Sequence, residues 1–108
     1  MAKSLPVSEK DFQKSVIELA QTLGWKVAHF RAARTKHGWA TPVAADGAGF
    51  PDLCMMRHER TVFMELKRSG VRKVRPEQED WHTVIRRTTC EMYVFNPMDV
   101  DQIMQVLR

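Results

Sequence analysis

Two short segments, Gly49-Phe50-Pro51-Asp52 and Glu65-Leu66-Lys67, constrain this chain more than any other feature. Side chains two apart on a β-strand project from the same face. A strand over 61–67 therefore sets Glu65 beside Lys67, with Thr61 and Phe63 on that face and Val62, Met64 and Leu66 on the other. The run Leu53-Cys54-Met55-Met56 reads as a second strand, and Arg57-His58-Glu59-Arg60 as the turn between the two. If Met56 pairs with Thr61 in an antiparallel hairpin, Asp52 falls opposite Glu65 on the same face. A slip of one residue would send Asp52 to the other face. The expected result is two carboxylates and one ammonium group at the open end of a hairpin.

Carboxylates forced together repel unless a cation lies between them. Oxygen ligands of this kind suit a hard divalent ion, Mg²⁺ above all, which also takes phosphate oxygens. Such an ion polarises a phosphoryl oxygen and lowers the pKa of a water. A lysine beside it can orient that water or hold the phosphate as a point charge. These groups are the minimum for metal-assisted hydrolysis of a phosphodiester.

The same residues resemble the PD-(D/E)XK nuclease signature and, more narrowly, the VRR-Nuc family of virus-type replication-repair nucleases. The likeness extends to Ser8-Glu9, Gly24-Trp25, Pro76-Glu77-Gln78 with Trp81, and Asn96-Pro97-Met98-Asp99, so it spans nearly the whole chain. It implies one VRR-Nuc-type domain over residues 1–108, with a restriction-endonuclease-like core. It implies a Mg²⁺- or Mn²⁺-dependent DNA endonuclease in which Asp52, Glu65 and the backbone carbonyl of Leu66 hold the metal. Glu9 from the first helix and Gln78 belong to the active centre by the same likeness. Small stand-alone members of the family behave as dimeric junction-resolving enzymes, which implies a homodimer acting on four-way (Holliday) junctions. The family usually carries a serine-type cap before the proline at 76; Arg75 stands there in this chain.

At 108 residues the chain is expected to form one domain with a modest core. Lys and Arg total 17 against 13 Asp and Glu, a net charge of +4 that favours a polyanionic partner. No apolar run follows Lys3, and no stretch is long and apolar enough for a signal peptide or a membrane span. Cys54 and Cys90 sit in apolar runs without metal-like spacing and read as reduced core residues. Together these imply an intracellular protein, not a secreted one; the family resemblance implies the cytoplasm of a bacterial or phage-infected cell.

Ser8 caps a helix whose apolar stripe is Phe12, Val16, Leu19, Ala20 and Leu23, and Gly24 ends it. Glu9 lies within about 40° of the stripe's centre and Glu18 on the far side. On residues alone, Glu9 better suits the positive end of the helix dipole; the motif beside it turns the reading toward the metal site, and Glu18 reads as solvated face. Trp25 to Phe30 alternates as a strand. Residues 31–51 show no periodicity and read as a long loop, with Arg31, Arg34, Lys36, His37 and Trp39 suited to phosphate contacts and base stacking, or to a solvated loop. The basic stretch after Lys67, with Arg68, Arg72, Lys73 and Arg75, reads as a DNA-backbone contact. Gln78, Trp81, Val84, Ile85 and Thr88 form the inner stripe of a helix begun by Pro76. Met92 to Phe95 is a buried strand, and Asn96-Pro97 opens a last helix with Val100, Ile103, Met104 and Leu107 inside. The fold expected is α/β, a mixed β-sheet flanked by helices. Two rivals to the nuclease remain open: a non-catalytic nucleic-acid-binding module, and a structural domain whose Asp52, Glu65 and Lys67 form an ion-pair cluster. A nuclease acting on flaps or single strands is a further alternative.

Overall fold

A computed structural model describes residues 6–30, 33–36, 38–40 and 43–108; for Ala33–Thr35, Trp39 and Ala40 it describes the backbone alone. Helix α1 spans Glu9–Thr22, and the Ser8 hydroxyl accepts from the Asp11 amide. Strand β1 spans Lys26–His29, β4 Leu53–Arg57, β5 Arg60–Leu66 and β6 Glu91–Phe95. Helix α2 spans Pro76–Arg86 and α3 Val100–Leu107. The four strands form one sheet in the order β1-β4-β5-β6. The pairs β1–β4 and β4–β5 are antiparallel, while β5 and β6 run parallel, joined by the α2 crossover. The architecture is thus mixed α/β with helices against the sheet.

The hairpin register is the one the side-chain pattern demands. Met56 pairs with Thr61 and Leu53 with Met64, which carries Asp52 to the level of Glu65. Arg57 and Arg60 close the ladder as a pair, so the turn is only His58-Glu59, with His58 at φ 55. Val62, Met64 and Leu66 point into the core with Leu53, Met55, Trp25 and Phe95. Phe12, Val16 and Ala20 of α1 and Ile103 and Leu107 of α3 complete that core. The opposite face of β5 carries Phe63 and Glu65 toward α2.

Some expectations are corrected. The stretch 31–51 is not loop throughout, since β2 (Ala33–Thr35) pairs antiparallel with β3 (Gly38–Ala40). These strands have three residues each, too short for periodicity to register. In α2 the buried residues are Gln78, His82 and Ile85, whereas Val84 and Thr88 are exposed. The buried face is centred on His82 rather than Trp81, whose indole N–H is drawn to the Asp46 carbonyl. Val100 is exposed as well, because Pro97–Asp99 forms a separate 3₁₀ turn ahead of α3. Cys54 and Cys90 are free thiols, half-buried rather than in the core.

Candidate metal centre

Three elements bring the site together. Asp52 stands one residue before β4, Glu65 near the end of β5, and Glu9 opens α1. Carboxylate oxygens of Glu9, Asp52 and Glu65 lie within 4.8 Å of one another. Glu18 is not part of this cluster; it lines the outer cleft. The Asp52 Oδ2 accepts from the Leu66 backbone amide at 2.9 Å, which locks the first carboxylate to the strand bearing the second. Lys67 follows β5, and its Nζ lies 3.8 Å from Glu65 Oε2.

Helix α2 supplies the next layer. Gln78 is buried and its Oε1 accepts from Lys67 Nζ at 3.0 Å and from the Arg75 amide at 2.9 Å. That second bond covers an orphan amide at the helix start, a role that a serine cap would otherwise share. The helix can approach this closely because Gly49 has no side chain. A Cβ there would lie 2.5 Å from the Glu77 carbonyl, and its φ of 84 is left-handed. Trp81 Nε1 donates to the Asp46 carbonyl, tying the same loop to α2. The Phe50 ring meets Phe30, Phe63 and Trp81 edge-to-face, a half-buried aromatic cluster beside the site.

The electrostatics follow from burial and crowding. Glu65 is 1% exposed. Its burial, its hydrogen bond to Asp52 and that neighbour's charge push its pKa up to about 9, against the pull of Lys67. Without an ion, Glu65 therefore holds a proton at neutral pH. Glu9 is raised also, first by burial and then by Asp52. Glu65 Oε1 has no hydrogen-bond partner among the described residues. An all-oxygen cluster that is short of positive charge fits a hard divalent cation. Soft or nitrogen-rich sites would look different.

The cluster lies in an open cleft of about 1730 Å³. Lys10, Lys14, Lys67, Arg68 and Arg75 line it, with Phe30 and Phe50. Lys10 and Lys14 were not legible as site residues; their only signal is a one-turn spacing on the helix that carries Glu9. Lys36 and Lys73 are exposed and do not line the cleft. Arg31 and His37, and the side chains of Arg34 and Trp39, lie outside the described residues. Arg72 departs from the expected phosphate contact. Both its terminal nitrogens bind the Asp99 carboxylate at 2.9 Å, holding the loop after β5 to the 3₁₀ turn. Arg57 and Arg60 are likewise structural: Arg57 caps carbonyls of Leu23, Leu107 and Arg108, and Arg60 pairs with Glu91. No family model, curated protein or solved structure matches this chain.

Proposed function

We propose that the chain is a Mg²⁺- or Mn²⁺-dependent DNA endonuclease with a PD-(D/E)XK core of the VRR-Nuc type. The observation that carries this reading is the convergence of Glu9, Asp52 and Glu65 within 4.8 Å, beside Lys67. Asp52, Glu65 and the Leu66 carbonyl hold the ion in this reading, and Glu9 completes the set. A bound divalent ion would supply Lewis-acid polarisation of the phosphoryl oxygen and a water of lowered pKa. Lys67, steadied by Gln78, orients the attacking water and offsets charge on the phosphate. Lys10, Lys14, Arg68 and Arg75 carry the flanking phosphates.

The cleft exceeds the roughly 300–1,000 Å³ of small-molecule pockets, which suits a polymeric substrate. One active centre cuts one strand, so paired cuts on a symmetric substrate call for two copies. We therefore extend the reading to a homodimer acting on branched DNA, four-way junctions first. No helix among the described residues is long and apolar enough to cross a membrane. The test is Mg²⁺-dependent cleavage of a four-way junction, a flap, a single strand and a linear duplex, with solution mass measured at micromolar protein. Cleavage of the junction by a dimer is expected. A monomer that prefers linear duplex would remove the junction reading, and absence of cleavage throughout would remove the nuclease.

A further inference from the structure

His82 faces Glu65 from α2, and nothing in the cluster described above uses it. It sits one turn after Gln78 on the buried face and is 1% exposed. Its Nε2 lies 3.9 Å from Glu65 Oε1. Neither atom has a hydrogen-bond partner among the described residues, where the only other such buried side-chain atom is Arg57 Nε. Buried polar atoms are nearly always paired. Here two unpaired ones look at each other across a gap about 1 Å longer than an N–H···O bond.

The two oxygens of Glu65 are already distinguished by their neighbours. Oε2 lies toward Lys67 and Oε1 toward His82. We propose that His82 is a positioning residue: its Nε2–H donates to Glu65 Oε1 in the ion-loaded site and fixes the carboxylate that holds the ion. This rests on the metal-site reading above. A small rotation of the Glu65 carboxylate closes the gap, and an anionic acceptor makes the bond a strong one. Groups outside a metal's own ligands commonly orient those ligands, and losing one typically weakens metal binding 10–100-fold. The imidazole proton is placed on Nε2 by the partner it meets there.

The contrasting role is a ring that merely fills space under β5. His82→Phe keeps the ring and removes the donor, whereas His82→Gln keeps a donor of similar reach. Mn²⁺ binding by calorimetry is measured on the wild type and both variants. A loss of tenfold or more in affinity is expected for His82→Phe, with His82→Gln within a few-fold of wild type. Mg²⁺ titration of the wild type, followed by ¹⁵N resonances of the His82 ring, should shift Nε2 as it gains its acceptor. That spectrum decides the matter if His82→Phe does not fold. Wild-type affinity in His82→Phe, equal losses in both variants, or an unmoved Nε2 resonance would overturn the assignment while leaving the metal site intact. A wild type that binds neither ion overturns the metal reading, and this inference with it.

Discussion

No side chain fits between Gly49 and Glu77. A Cβ on Gly49 would stand 2.5 Å from the Glu77 carbonyl carbon and oxygen, and 2.8 Å from the Gln78 amide. This close approach seats the first turn of α2 against the loop leading into Asp52, and so brings Gln78 to Lys67. Gly49→Ala must therefore displace backbone, on top of a left-handed strain of about 1–3 kcal/mol. Gly70 is the control: its φ of 78 is similarly left-handed, yet nothing lies within 4 Å of its missing Cβ. Gly49→Ala should cost clearly more stability than Gly70→Ala in chemical denaturation. Equal costs would mean that α2 yields freely and that the close approach does not matter.

Removing charge while keeping shape probes the cluster. Asp52→Asn or Glu65→Gln removes an anionic ligand from the ion-loaded site and should lower cleavage by orders of magnitude while DNA binding persists or tightens. Gel-shift and cleavage assays on the same junction separate the two effects. Wild-type turnover in either variant would sink the mechanism.

Glu65 also dictates a pH dependence. Its pKa rises from 4.5 to about 9 on folding, mainly through burial. The folded state then binds the extra proton, so this contribution is complete below pH 4.5 and is lost as pH climbs through 9. A divalent ion takes the proton's place, so ion-induced stabilisation should grow across that window. Thermal midpoints with and without Mg²⁺, at pH 6 and pH 9, give the readout. Glu65→Gln should remove most of the dependence, leaving the share that Glu9 contributes. A Mg²⁺ effect that shrinks with rising pH would contradict the assignment.

Much of this site could be read from the chain, because a strand's period of two is rigid. Once Met56 meets Thr61, Asp52 and Glu65 must be neighbours. The place of Gln78 near the site was legible too, as an uncharged polar group on an apolar stripe. His82 was not, because bulk alone phases the stripe on Trp81 and Val84. Such a phase errs easily when a half-buried tryptophan reaches sideways to a loop. The basic residues were hardest. Arg57, Arg60 and Arg72 look like any other cation in sequence, but each is committed to a carbonyl or carboxylate distant in the chain.

That sorting of cations is itself testable. Neutralising Lys14 and Arg68, which line the cleft, should weaken DNA binding similarly across sequences. The salt slope should fall by about 0.9 for each phosphate that is no longer neutralised. Arg72→Gln should leave the slope near wild type and instead lower stability. It removes the partner that holds the Asp99 carboxyl below its ordinary range, a contribution present at neutral pH and lost on acidification through the lowered pKa. The stability difference between Arg72→Gln and wild type should therefore narrow in acid. A large slope change in Arg72→Gln would return this residue to the DNA-binding surface.

Glu9 and Glu18 share a helix and a cleft but not a role. Both are exposed, but Glu9 belongs to the carboxylate cluster, where partial desolvation and Asp52 raise its pKa, and Glu18 stands farther along α1. Glu9 also occupies the first turn, where any carboxylate gains about 0.3–1 kcal/mol from the helix dipole. The two contributions separate cleanly in a pair of measurements. If Glu9 serves only the dipole, Glu9→Gln lowers stability by that small amount and leaves Mn²⁺ affinity alone. If it completes the metal site, Glu9→Gln weakens Mn²⁺ binding and cleavage at limiting metal, while ion-free stability changes little because a charge leaves a crowded cluster. The second pattern is expected, with Glu18→Gln near wild type in both assays. The reverse ranking would move the helix contribution to Glu18 and place the ion farther down the cleft.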